Sequence, residues 1–259
     1  GDYTINGSTS LDDVNQILTR TKVGDPIGMF YGYKVEGIFR TMSDLESAPI
    51  QFGQAIGDNS VISRTWLGDI KFKDVNGDNV IDENDRTVIG NPHPDFTFGF
   101  QNTFRYKNFD LAMFLQGSYG NDVFNAIGRT LTATNLTYRN QLSSVLDYWS
   151  VENPNGTAPR YTSNSTPNIN ISDRYIEDGS YLRIQNVRLG YSLPSNAIGK
   201  IGMSKLKIYG SIQNLYTFTN YSGYDPEVGS LNQNALLMGV DNGRYPTPRT
   251  FTIGIDVEF

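Results

Sequence analysis

The stretch DVNGDNVIDEND, residues 74–85, sets Asp74, Asn76, Asp78, Asp82 and Asp85 at positions 1, 3, 5, 9 and 12 of a twelve-residue window. Oxygen-bearing side chains at alternate positions of a tight loop can converge on one hard cation, which takes about six to eight oxygens. The spacing predicts Ca2+ binding by these five side chains, with the carbonyl of Val80 at position 7. Ile81, at position 8, suits an apolar anchor. Asn79 stands where glycine is usual, and asparagine tolerates the left-handed backbone needed there. Asp85 in place of a glutamate shortens the reach of the last ligand. Pro92 and Pro94 follow soon after, so no strong helix flanks the loop. A structural brace is therefore expected rather than a calcium sensor; an Asx-rich turn that needs no metal is the competing reading.

Other chemistry is sparse. With no cysteine, disulfides and thiolate sites are excluded. His93 is the single histidine, flanked by prolines, and no serine sits in a strand-to-helix nucleophile elbow. A Ser-His-Asp triad, a histidine-based zinc site, a phosphate loop and a dinucleotide fingerprint are all missing from the pattern. Asp225 and Glu227, in YDPEVG, are the nearest approach to a glycosidase carboxylate pair. Tyr138, Tyr161, Tyr221 and Tyr224 offer rings to sugars, although packing or an aromatic girdle accounts for them more simply.

These residues need a scaffold, and the dominant period along the chain is two. In DFTFGFQNTFRY, Phe96, Phe98, Phe100, Phe104 and Tyr106 recur on alternate positions. NFDLAMFLQGSYG follows after a turn at Lys107-Asn108, which predicts a β-hairpin. Similar runs occur at 28–41, 180–194, 205–220 and 249–259. In the last, Phe251, Ile253, Ile255, Val257 and Phe259 oppose Thr252, Gly254, Asp256 and Glu258. Such a face points to the core of a soluble sandwich or to lipid around a barrel; the period alone does not choose.

The chain has 259 residues, 16 Tyr and 14 Phe against 2 Trp, and a net charge of −6, so no basic stripe points to nucleic acid. No run of about 18 apolar residues predicts a membrane helix, but a spanning strand needs only about 9–11 residues. Long polar stretches at 153–174 and 221–248 separate the strands. Short turns at one end and long loops at the other is the layout of an outer-membrane barrel. Leu142, Val145, Leu146 and Trp149, at i, i+3, i+4 and i+7, predict one helix over about 140–150, with a weaker candidate at 10–18.

Several stretches together resemble the C-terminal part of a SusC/RagA-type TonB-dependent outer-membrane transporter. They are VGDPIGMFYGYKVEGIFRT, GDIKFKDVNGDNVIDENDRTVIGNPHPDFTFGFQNTFRYKNFDLAMFLQGSYGNDVFN, YLRIQNVRLGYSLP, KIYGSIQNLYTFTNYSGYDPEV and YPTPRTFTIGIDVEF. The terminal Phe259 on an alternating strand looks like the signal read by the barrel-insertion machinery. The resemblance implies an all-β antiparallel barrel of about 22 strands filled by a plug. Residues 1–259 are expected to supply its C-terminal part, about ten strands with long extracellular loops and one short loop helix. The plug, the TonB-contacting segment and the first strands are expected to belong to a remainder of the transporter outside these residues. The implied partners are that remainder, TonB, a SusD-like surface lipoprotein, outer-membrane lipid, and an imported glycan or peptide. No enzymatic activity is expected. The alternative is a secreted, calcium-braced, carbohydrate-binding β-sandwich.

Overall fold

In the computed structural model, the described residues are 4–11, 14–57, 64–134, 140–162, 166–199 and 202–259. They form two compact units, each assembled from three separate stretches of chain.

The second unit, His93–Asn121 with Asp178–Glu227 and Arg244–Phe259, is built on one five-stranded antiparallel sheet. Its strands, in spatial order, are β9 (Phe96–Tyr106), β10 (Phe109–Tyr119), β13 (Tyr181–Ser192), β14 (Lys205–Thr219) and β16 (Thr250–Glu258). The predicted hairpin forms, with Tyr106 paired to Phe109 around Lys107-Asn108. Lengths of 9 to 15 residues suffice to cross a bilayer. The sheet is open, with β9 and β16 at its edges. Ten strands are expected from the resemblance; five stand side by side here.

Register shifts interrupt the pairing at one level. Phe114 and Leu115 of β10 pair with Asn186 and Ile184, which leaves Gln185 unpaired. The same two β13 residues pair with Gln213 and Tyr216 of β14, skipping Asn214 and Leu215. Asn214 adopts φ 54° there. Because Gln185 is bulged, Leu182 and Ile184 share a face with Val187 and Leu189 despite the change of parity.

The first unit combines small sheets. The strands β1 (Thr4–Leu11), β2 (Val14–Lys22), β3 (Met29–Gly32) and β8 (Thr87–Gly90) form one, in that order. The pairs β4 (Val35–Ile38) with β6 (Ile70–Phe72), and β5 (Ile50–Gln51) with β7 (Val80–Ile81), form two more. The last sheet has β11 (Asp122–Asn125) between β12 (Ile176–Asp178) and β15 (Val240–Asp241). Three short helices, α1 (Met42–Glu46), α2 (Ala126–Leu131) and α3 (Ser195–Ile198), lie among the connections.

Three expectations change. The run at 28–41 is not one long strand but β3 and β4, separated by two residues and placed in different sheets. The weak helix candidate at 10–18 is the end of β1 and the start of β2; Asp12 and Asp13 lie outside the described residues. The β-branched Val14, Ile17, Thr19 and Thr21 favour the strand. The helix expected at 140–150 is a 3-10 segment, Ser143–Asp147. Its neighbouring backbone bonds run forward instead: Trp149 N–H donates to the Ala158 carbonyl and Ala158 N–H to the Asp147 carbonyl. Val145 and Trp149 are buried, whereas Leu146 is 79 % exposed.

Two hydrophobic clusters hold the first unit. One gathers Leu18, Phe30, Phe124, Tyr175, Leu237 and their neighbours from distant stretches. The other packs Tyr33, Ile70, Phe72 and Ile81 with Phe52 against them. Tyr33, Phe52 and Phe72 meet edge-to-face at centroid separations of 5.2 to 5.5 Å, a favoured aromatic geometry. The buried amide of Gln51 accepts from Phe72 N–H and donates to the Ile70 carbonyl, which satisfies the inner edge of β6.

Candidate functional site

The loop at 74–85 is folded by its own acidic side chains. Asp74 Oδ1 accepts from Gly77 N–H at 2.6 Å and its Oδ2 from Asn79 N–H at 2.8 Å. Asn76 Oδ1 accepts from Asp78 N–H, and Asp78 Oδ1 from Val80 N–H, both at 2.9 Å. Asn79 adopts φ 67°, the left-handed conformation expected of it. Ile81 is fully buried in the aromatic cluster, so the apolar anchor is where the spacing put it. Asp85 is fully buried too and closes the loop, accepting from Val75 N–H and Asp82 N–H at 2.8 Å each.

The side chains of Asp74 and Asp85 come within hydrogen-bonding reach of each other. Desolvation pushes Asp74 upward, but the N–H groups of Gly77, Asn79 and Asp78 and the contact with Asp85 hold it below the ordinary carboxylate range. Asn76 Nδ2 also donates to Asp78 at 3.0 Å. Asp82 turns the other way: both its oxygens accept from Asn84, capping the 3-10 turn Glu83–Asp85. The loop thus brings Asp74 to Asp85 and Asn76 to Asp78 as two pairs, and engages Asp82 locally. Val80 sits in β7, paired with Ile50. Among the described residues, no three His, Cys, Asp or Glu side chains form a ready metal cluster. The donor set suits a hard cation: all oxygen, with two carboxylates facing each other.

The YDPEVG carboxylates are held by an arginine. Arg183 of β13 donates to Asp225 at 2.5 Å and to Glu227 at 2.6 Å. Asp225 Oδ1 also accepts from Glu227 N–H, and its Oδ2 from the hydroxyl and N–H of Thr247. Desolvation raises Asp225, yet Thr247, the Glu227 N–H and Arg183 outweigh it and keep the acid below its usual range. Arg183 and Asp225 are both buried. A carboxylate so paired is a fastener between loop and strand, poorly suited to donate a proton. His93 lies in the bend ahead of β9. Tyr221 is buried, Tyr161 and Tyr224 are exposed, and Tyr138 lies outside the described residues.

The long sheet has two chemically distinct faces. On one, the pairs Phe100–Leu115, Leu115–Ile184 and Ile208–Ile255 run across the strands. Phe251, Ile253 and Ile255 are 69, 86 and 61 % exposed, so nothing among the described residues covers them. The opposite face is charged. Lys207 meets Asp110 at 2.6 Å, Arg188 stacks on Tyr209 at 3.9 Å, and Arg105 pairs across from Asp110. Gly190 lies between Asp110 and Lys207, and the ion pair closes directly over it, where a Cβ would come 2.4 Å from the lysine Cε. The turns at 107–108 and 193–204 lie at one end of the sheet, and the long excursions leave from the other.

Sequence reasoning missed the buried arginines. Arg160 pairs with Asp69, and Arg129 donates from Nε to the Ile169 carbonyl at 2.8 Å. Charged residues read as surface until a partner is known.

Comparison with known proteins supplies the context. TonB-dependent receptor P3 of Formosa agariphila is 37 % identical over 240 residues, covering 91 % of this chain and 22 % of that protein. TonB-dependent receptor SusC of Bacteroides thetaiotaomicron is 28 % identical over 193 residues, 73 % of this chain and 17 % of that protein. Among solved structures, the RagAB peptide transporter superposes with a TM-score of 0.71 at 20 % identity, covering 93 % of this chain and 24 % of that one. That likeness concerns the fold. No protein-family model matches the chain. The chain spans less than a quarter of the length of either receptor. By its sequence, the chain belongs to the TonB-dependent receptors, with SusC among its relatives.

Proposed function

We propose that this chain contributes barrel wall and extracellular loops to an outer-membrane nutrient importer. The carrying observation is the continuous, exposed apolar face of the five-stranded sheet, backed by a charged face. In water such a face is a liability; against lipid it is the outer wall of a barrel, with the charged side toward an aqueous lumen. A sandwich would bury it under a second sheet, so the secreted module is the weaker reading. The open edges at β9 and β16 would pair with strands from the remainder of a barrel of about 22 strands. A SusD-like lipoprotein and TonB, the latter acting through that remainder, complete the proposed assembly. The imported ligand is an oligopeptide or a glycan; the named likeness to a peptide transporter favours trying peptides first.

The 74–85 loop is proposed to bind one structural Ca2+ through Asp74, Asn76, Asp78 and Asp85. The ion would neutralise the facing carboxylates and pin the loop ahead of β8, while Ile81 holds its base in the core.

The experiment is to express the complete transporter in its native host and fractionate the envelope. Recovery in the outer membrane, resistant to carbonate washing and released by detergent with a copurifying lipoprotein, supports the importer. A soluble protein without a partner would sink it.

A further inference from the structure

A cavity of 420 Å³ lies within the first unit. Small-ligand sites span about 300–1,000 Å³. Tyr33 and Arg86 line it together. Tyr33 N–H donates to the Ile171 carbonyl at 2.9 Å, which fixes the residue just beyond β3. Phe52 and Phe72 hold the ring edge-to-face and leave Tyr33 only 7 % exposed. The hydroxyl nevertheless has no hydrogen-bond partner among the described residues and is not sealed from solvent. What Tyr33 leaves open therefore faces this cavity. Burial pushes the phenol up to about 12, so it stays a donor at neutral pH.

Arg86 brings a guanidinium without a counter-ion. Its Nη2 donates to the Ile17 and Tyr31 carbonyls. The group lies over the rings of Tyr31 and Tyr33, at 4.9 and 5.9 Å from their centres. Its Nε is buried with no hydrogen-bond partner, and no carboxylate pairs with it among the described residues. Arg20 adds a second positive charge, 3.8 Å from the centre of the Tyr31 ring, and it too lacks a carboxylate partner among the described residues. Glu83 lines the same cavity, but it is exposed and does not pair with Arg86. A partly buried cation without an anion is costly, so the cavity favours a ligand that carries one.

The rest of the lining selects which anion. Ile17, Phe52 and Ile171 set apolar surface beside the charge. The carboxamides of Gln16 and Asn170 can each donate and accept, and neither has a partner among the described residues. The last residue of a peptide joins a carboxylate, an N–H and an apolar side chain at one carbon, which matches all three features. A uronate carries hydroxyls on the ring carbons around its carboxylate, and some of these would face the apolar surface unpaired.

We propose that this cavity binds the C-terminal carboxylate of an oligopeptide, held by Arg86 and the Tyr33 hydroxyl, with the last side chain on Ile17, Phe52 and Ile171. The proposal rests on the importer reading only for the source of the peptide, and binding is measured apart from uptake.

The test titrates the complete transporter, purified in detergent, with Ala-Ala-Leu, with its C-terminal amide and with digalacturonate, by isothermal titration. The free peptide is expected to bind about tenfold tighter than the amide, the ratio that one hydrogen-bonded charge supports. Tyr33→Phe removes a hydroxyl that no described protein group uses, so the fold should be kept while the free peptide binds about tenfold weaker. Arg86→Met should equalise the two peptides. If that variant fails to assemble, because the Ile17 and Tyr31 carbonyls lose their donor, Tyr33→Phe decides alone. Glu83→Gln removes a like charge and should tighten the free peptide about twofold. Equal affinity for free peptide and amide, or free-peptide binding undiminished in Tyr33→Phe, overturns the site. Digalacturonate that binds as tightly as the free peptide and is weakened by Tyr33→Phe overturns the peptide assignment. Cells that express the transporter, whose purified form binds the peptide as expected, and yet fail to take it up overturn the importer reading alone.

Discussion

Arg160 donates two hydrogen bonds to Asp69, at 2.7 and 2.9 Å, joining residues 91 positions apart in sequence. Asp69 is fully buried, and Asn168 Nδ2 and Trp66 N–H supply its remaining donors. Asn168 in turn accepts from Ile70 N–H, so three separate stretches meet at one carboxylate. Breaking one partner strands a buried charge. Arg160→Met is expected to destabilise the first unit by about 3–5 kcal/mol, whereas Asp69→Asn with Arg160→Met, which removes the charge and keeps an acceptor for Trp66 and Asn168, costs markedly less. Denaturant titration with limited proteolysis of the complete protein measures both; equal losses would contradict the pairing.

Acid should loosen the fold through carboxylates held low. Asp225, Asp74 and Asp147 all sit below the ordinary value of 3.8 in the folded protein. Their stabilisation is present at neutral pH and is lost as pH falls below about 4 through the folded values. Asp173, raised by burial, works in the opposite sense. Proteolysis across pH 6 to 2 should show a drop beginning near pH 4. Asp225→Asn should flatten part of that drop.

Removal of the proposed Ca2+ should act locally. With chelator, protease cleavage is expected to rise within 74–85 while the long strands stay protected. Asp74→Ala or Asp78→Ala should weaken calcium binding at least about tenfold and leave membrane assembly intact, because the sheet does not depend on the loop. Isothermal titration gives the affinity; an unchanged value would remove those residues from the ligand set.

A charge should be tolerated on one face of β16 and not on its neighbour. On the face proposed to meet lipid, Ile253→Arg would cost about 2–4 kcal/mol near the bilayer midplane. Thr252→Arg, one residue away on the polar face, should leave assembly nearly unchanged. Heat-modifiable migration on gels reports the folded fraction of each.

The long sheet was legible in the sequence because its signal is local: alternate residues of one strand state which face they occupy. The first unit was not, because its core draws Leu18, Phe124, Tyr175 and Leu237 from four stretches. Ile81 could be read as an anchor from its place in the loop. The turning away of Asp82 could not, since an Asx side chain bonding its neighbouring backbone competes with any distant ligand. The helix expected at 140–150 failed similarly: Val145 and Trp149 are buried as the pattern requires, but Ala158 supplies the backbone partner.

The unpaired residues along the long sheet have a mechanical consequence. At the level of Leu115, β10 carries no extra residue, β13 carries Gln185, and β14 carries Asn214 and Leu215. Contour length therefore grows from strand to strand, as lanes lengthen toward the outside of a curve. Strand β16 begins at Thr250, paired with Gln213, and so does not reach the level of Asn214 and Leu215. Such bulges predict a local bend of the sheet at this level, and excising Gln185 alone would keep every side chain on its face while removing the added length of β13.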